Sequence, residues 1–263
     1  MAQTRIEFAD ASGYERFMGR WSRAVAAKFL RWIDPPPAAR WLDAGCGTGI
    51  LTEAVLDACA PAAVTGIDPA GAQIEQASRG PASARATFRQ ADAMKLPFPD
   101  RSFDVAASAL VINFIPRPLV ALGEMGRVTF PGGTVAGYVW DFQRDLSPSG
   151  PLRQAMRAFG ADVPAIPGTE HSSLQALQSL FRRAELRSIR CTKLDVTLAY
   201  QDFEDFWQAQ TPGYSPTTKI IDAMTENERR RLKRAVREAL SVGPHGKIEY
   251  TARANAIRAT VPA

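Results

Sequence analysis

Cysteine is scarce in this chain: Cys46, Cys59 and Cys191 are the only three in 263 residues. Three cannot close a disulfide framework, so the fold is expected to rest on its apolar core in a reducing, cytoplasmic setting. Histidine is scarcer, with two residues, and so few ligating side chains leave no cluster with metal-site spacing. The opening MAQTRIEFAD contains acids and no apolar segment, so no secretory leader is expected. Uncharged apolar stretches run about a dozen residues, short of the roughly 20 that span a bilayer. Glycine and proline, 19 of each, stay below the level that marks disordered or collagen-like chains. Secreted, fibrous and membrane-spanning classes are therefore not expected.

What is present is an ordinary globular mixture, 46% hydrophobic and 22% charged, long enough to bury most of its apolar surface. The formal charge is +5, and only six of the 32 basic side chains are lysine. The densest basic run, Glu228 to Arg234, lies in a helical pattern with Glu226 and Glu238 close by. It reads as a solvent-facing stripe, and no nucleic-acid partner is expected.

Hydrophobic period supplies the order of elements. Phe17, Trp21, Val25, Phe29 and Trp32 recur at helical spacing across Tyr14–Ile33, and Asp34 followed by three prolines ends that helix. Strands are predicted at 40–44, 63–68, 86–90, 103–108 and 134–140, with helices at 51–59, 70–78 and 118–128 between them. Alternation of this kind implies parallel βαβ units and a doubly wound sheet. A sixth strand is expected at 186–199 and a seventh at 247–260. The expected fold is α/β, with a mostly parallel seven-stranded sheet in a single domain over 1–263. Residues 142–185 and 200–245 are read as helical insertions after strands five and six, and 1–36 as an N-terminal helical lid.

Asp43-Ala44-Gly45-Cys46-Gly47-Thr48-Gly49 follows the first strand and opens a helix. Glycines there let a ligand approach backbone closely and tolerate positive φ. Position 50, where a dinucleotide fingerprint places its third glycine, is Ile50. Asp68 ends the second strand nineteen residues past Gly49, where an acid can accept both hydroxyls of a ribose. Asp92 follows the third strand. An acid before the glycines can also bind the loop's own amides, and that reading of Asp43 stands beside the ligand reading; Asp68 and Asp92 can likewise be cap or turn residues.

These motifs resemble the class I S-adenosylmethionine-dependent methyltransferases, above all the small-molecule branch typified by ubiquinone- and menaquinone-biosynthesis enzymes. The likeness covers roughly residues 40–140. Asp43–Gly49 is similar to that family's first motif and Gly66-Ile67-Asp68 to its ribose-binding segment. Asp92-Ala93 with Leu96–Asp104 is similar to the adenine-side segment and next strand; Glu124–Arg127 with Pro131–Thr134 resembles the helix and turn before strand five. Tyr14–Trp21 resembles, more loosely, the family's N-terminal helix over the cofactor. The resemblance implies a Rossmann-like methyltransferase fold with S-adenosyl-L-methionine as cofactor. It implies that Gly45, Cys46, Gly47, Thr48 and Gly49 pack against the methionine part, with Asp43 beside them. Asp68, Pro69 and Gln73 would serve the ribose side, Asp92 and Ala93 the adenine, and Ser108 and Leu110 the end of strand four. Tyr14 and Arg20 would close over the cofactor.

Methyl transfer from a sulfonium needs an oriented nucleophile and excluded water, and a base only where a proton must leave. Asn113, standing where many relatives carry histidine, Asp141, Tyr14 and His171 are the candidates for the chemistry; Tyr214 is a candidate lid residue. The expected partner is a small-molecule acceptor, chosen by the two insertions. A catalytically silent cofactor-binding protein and, with less support, a nicotinamide-dependent oxidoreductase are the competing readings.

Overall fold

The computed structural model describes residues 15–213 and 215–263. Its elements in chain order are α1 (Arg20–Ile33), β1 (Arg40–Ala44), α2 (Ile50–Ala58), β2 (Ala63–Asp68), α3 (Gly71–Ala77), β3 (Thr87–Gln90), β4 (Phe103–Ala109), α4 (Pro118–Val128) and β5 (Thr129–Trp140). Then come α5 (Gly150–Ala158), α6 (Leu174–Arg183), β6 (Arg187–Tyr200), α7 (Phe203–Gln210), α8 (Pro216–Asp222), α9 (Glu226–Glu238) and β7 (Ile248–Thr260). The seven strands form one sheet in the order β3-β2-β1-β4-β5-β7-β6. The ladders among β1 to β5 are parallel. Gly132 N–H donates to Val261 O and Asp141 N–H to Arg253 O, so β7 runs against β5. The chain folds first outward from β1 to β3 and then outward from β4, which makes the β1/β4 boundary the switch point where such sheets open a crevice.

Two compact units emerge among the described residues: 22–139 with 168–194 and 254–263, and 15–21 with 140–167, 195–213 and 215–253. In the first, Leu42, Ile67, Ile112, Met125, Val135, Leu177, Phe181 and Ile257 lie in one buried cluster. The first expected insertion divides at Pro167. Its second helix, α6, buries Leu177, Leu180 and Phe181 in that cluster and packs on α4, so its apolar face covers the core of this unit. The span expected as an N-terminal lid divides too. From Ser22 onward α1 buries Val25 and Phe29, and the Phe29 ring lies 4.7 Å from Tyr138 of β5. Residues 1–14 lie outside the described residues. Glu15–Gly19 is a π-turn, which interrupts the 3.6-residue period assumed across the start of this helix.

Strand β5 begins at Thr129, five residues before the sequence prediction. Its register slips between Phe103 and Val105 of β4, and Gly132 and Gly133 hydrogen-bond to Val261. The bulge absorbs Pro131, whose missing donor would otherwise end the ladder.

In the second unit, α9 turns Leu232 and Val236 inward and its arginines outward. Thr225 and Glu228 form a reciprocal capping box at its start. Glu226 lies near Arg229 and Arg230, and Lys233 pairs with Glu204. The basic run is the polar face of an amphipathic helix.

Candidate cofactor site

The loop after β1 has positive φ at Gly45, Gly47 and Gly49. Two of these glycines are fixed by close neighbours. A Cβ on Gly45 would lie 2.6 Å from Val111 Cγ1, and one on Gly49 would lie 3.2 Å from Phe88 Cζ. Val111 follows β4, so the loops at the switch point are keyed together. Four of the loop's amides are spent inside the protein: Gly45 and Cys46 donate to Ile67 O and Gly49 to Cys46 O, while Gly47 donates to Asp68 Oδ2 at 3.0 Å. A loop that cradles a pyrophosphate must aim its amides at the ligand, and these four are turned to other acceptors. That argues against the nicotinamide reading.

Asp43 is 1% exposed and does not bind the loop amides. Its Oδ2 accepts from the Thr52 hydroxyl at 2.8 Å in the first turn of α2, while Oδ1 is buried with no partner. Burial first, and nearby Asp68 in addition, push its carboxyl up to about 7. Asp68 accepts from Ala70 N–H at 2.9 Å as well as from Gly47; burial raises its pKa and those two amides hold it back. It therefore does fill a turn role, yet each oxygen keeps a free lone pair. Pro69 O accepts from Gln90 Nε2. Gln73 lies beside Gly47, where a Cβ would stand 3.9 Å from Gln73 Oε1, and that oxygen is buried and unbonded. Ser108, wholly buried at the end of β4, likewise has an unbonded Oγ. Asp92 is exposed and forms a turn with Met94 N–H, with Ala93 buried beside it. Leu110 takes φ +62, a conformation that side chains rarely adopt and that gathers at functional turns.

The chemistry candidates fall in both units. Asn113 is 2% exposed, in a tight turn over Ile112–Phe114. Gly168 presses on it so closely that a Cβ would sit on the Asn113 carbonyl, which brings the turn bearing His171 against the turn bearing Asn113. His171 Nε2 is 3.8 Å from Glu170 Oε1. Asp141 and Arg20 belong to the other unit. Asp141 is 2% exposed with an unpartnered Oδ1, and Arg144 stands 3.9 Å from its other oxygen. Arg20 donates to Ala199 O at 2.8 Å and lies over the Tyr200 ring. Tyr14 and Tyr214 lie outside the described residues. Cys46 is buried, and burial and the two nearby carboxylates push its thiol far up, which makes it inert. Among the described residues no group of His, Cys, Asp and Glu is placed to hold a metal, and no helix is long and apolar enough to cross a membrane.

Thr52, Phe88 and Val111 escaped the sequence reading. Only Thr52 had a signal, a hydroxyl in the first turn of the helix that the glycine loop opens.

Comparison with known proteins bears on the same segment. The family described as "Methyltransferase domain" matches residues 42–137. Over 203 residues the chain is 30% identical to 27-O-demethylrifamycin SV methyltransferase of Amycolatopsis mediterranei, covering 74% of this chain and 67% of that protein. Over 96 residues it is 43% identical to demethylmenaquinone methyltransferase of Staphylococcus aureus, and this match spans 36% of the chain and 40% of the relative's length. The crystal structure of the Bacillus subtilis YcgJ protein shares the fold, with a TM-score of 0.58 at 18% identity over 91% of this chain and 98% of that one. Matched residues 42–137 hold the glycine loop, Asp68 and Asp92, and the chain belongs to the class I S-adenosylmethionine-dependent methyltransferases of the small-molecule type.

Proposed function

We propose that this chain passes a methyl group from S-adenosylmethionine to a small organic acceptor by direct in-line displacement. The observation that carries the reading is a loop four of whose amides are satisfied internally, in a unit where Asp43 Oδ1, Gln73 Oε1 and Ser108 Oγ are buried and unbonded. Buried polar atoms call for a partner, and these three belong to residues picked out for the cofactor from the sequence. They fit a ligand with amino, carboxylate and hydroxyl groups better than one with a pyrophosphate. When bound, the cofactor supplies an electrophilic methyl on sulfur, and the acceptor's nucleophile takes it in one step.

The chain's own part is to bind, orient and exclude water. Gly45–Gly49 present bare backbone, Asp68 accepts from the ribose hydroxyls, and Asp92 with Ala93 serves the adenine. Ser108 and Leu110 set the floor at the end of β4. Buried and pinned by Gly168, Asn113 suits an orienting role better than proton exchange.

Asp68 offers the direct test. Two charge-assisted bonds to a ribose contribute on the order of 2–3 kcal/mol, so Asp68→Ala is expected to weaken S-adenosylhomocysteine binding by roughly one to two decades. Calorimetric titration gives the number. Unchanged affinity would leave Asp68 as a loop tie alone and remove the reading's central contact.

A further inference from the structure

Helix α5 carries a cation with too little company. Its sequence, GPLRQAMRA, buries Leu152 and Met156 one turn apart. Arg153 follows them inward and is only 7% exposed. One donor, on Nη2, reaches Pro164 O at 2.7 Å, and Nε is buried without a partner. A guanidinium has five donors and does not give up its proton. No carboxylate pairs with it among the described residues. The acid nearest in effect, Asp145, is paired with Arg157, and Arg157 itself adds positive potential at Arg153. Burial works against the charge in the same direction. An uncompensated buried ion is strongly unfavourable, and a fold retains one where an anion arrives to meet it.

We propose that Arg153 is a recognition residue for an organic carboxylate. Charge decides the class: one unpaired guanidinium matches a monoanion, whereas a phosphate dianion would bring a charge too many. Shape agrees, since the planar fork of donors fits a planar carboxylate.

Benzoate and its neutral near-isostere benzamide are the probes, titrated by calorimetry and thermal shift into the full chain with S-adenosylhomocysteine present and ionic strength matched. Benzoate is expected to bind and stabilise the wild type, and benzamide not to. Arg153→Met should weaken benzoate at least tenfold while S-adenosylhomocysteine affinity stays within about threefold. Arg153→Lys, which keeps the charge and loses the fork, should fall between and serves if the methionine variant does not fold. Equal binding of benzoate and benzamide, no benzoate binding to the wild type, or benzoate binding indifferent to both variants would each overturn the proposal. Failure to bind S-adenosylhomocysteine would instead strike the methyltransferase reading and leave the benzoate comparison to judge Arg153.

Discussion

Replacing Asp43 by asparagine is expected to raise the melting temperature at pH 8 by about 4–8 °C and to change it little at pH 5. The reason is proton linkage. Asp43 holds its proton up to about pH 7 in the native protein, against 3.8 ordinarily. Below both values the two states are protonated alike. Between them the native state keeps a proton that the unfolded chain releases, so this group makes stability fall as pH rises through that window. The loss is complete above pH 7, where about three pKa units set a ceiling of about 4 kcal/mol. Asparagine removes that penalty and returns about 1–2 kcal/mol of it, because its amide group stands where Oδ1 has no partner. The net gain is then about 2 kcal/mol at pH 8 and near zero at pH 5, where a wild-type penalty of about 1–2 kcal/mol is offset by the cost of the amide. Thermal melts at the two pH values check this, and an equal change at both would refute the linkage. The same variant should bind S-adenosylhomocysteine at least about tenfold more weakly at pH 8, since a neutral amide cannot replace a charge-assisted acceptor. A burden on stability with a return in binding marks Asp43 as kept for the ligand.

How much of this was legible beforehand depended on the range of each interaction. The glycine loop could be read because its needs are local: positive φ at Gly45, Gly47 and Gly49 restricts those positions whatever surrounds them. Asp68 and Asp92 could be placed because a strand that ends before a helix delivers its last residues to one edge of the sheet. Phe88 and Val111 could not. Phe88 is an ordinary aromatic on a four-residue strand, and its place under Gly49 and Gly66 follows from β3 pairing beside β2. Helix α6 packs on a surface that could not be read, for a similar reason. Its amphipathic face announces burial without naming the surface it meets, and only the packing on α4 settles that. The Pro131-Gly132-Gly133 segment reads as a turn by composition, yet pairing with Val261 holds it in β5. Arg153 was silent for the opposite reason, since an arginine on a polar-looking helix is normally solvated.

Gly45 and Val111 supply the sharpest check that the two switch-point loops act together. Gly45→Ala is expected to cost about 3 kcal/mol of stability: roughly 1 for a side chain held in the left-handed region and roughly 1–3 for overpacking. The overpacking has a named partner, because the new methyl would lie 2.6 Å from Val111 Cγ1 and 2.8 Å from Cγ2. Val111→Ala alone removes two methyls from a half-buried side chain and should cost about 1 kcal/mol. The double variant should then be less destabilised than the two singles added together, by about 1–2 kcal/mol, as contacting residues in a shared space require. What remains in the double variant is the backbone strain at φ +82, which no change at position 111 can relieve. Cofactor binding should follow the same order. Gly45→Ala alone displaces backbone of the proposed cofactor loop and should weaken S-adenosylhomocysteine at least about tenfold, and the second substitution should restore part of that. Denaturant melts and calorimetry on the four proteins of the cycle measure both couplings. Strict additivity in stability would show that the loops merely lie close, and coupling in stability without coupling in affinity would confine the Gly45–Val111 contact to the fold.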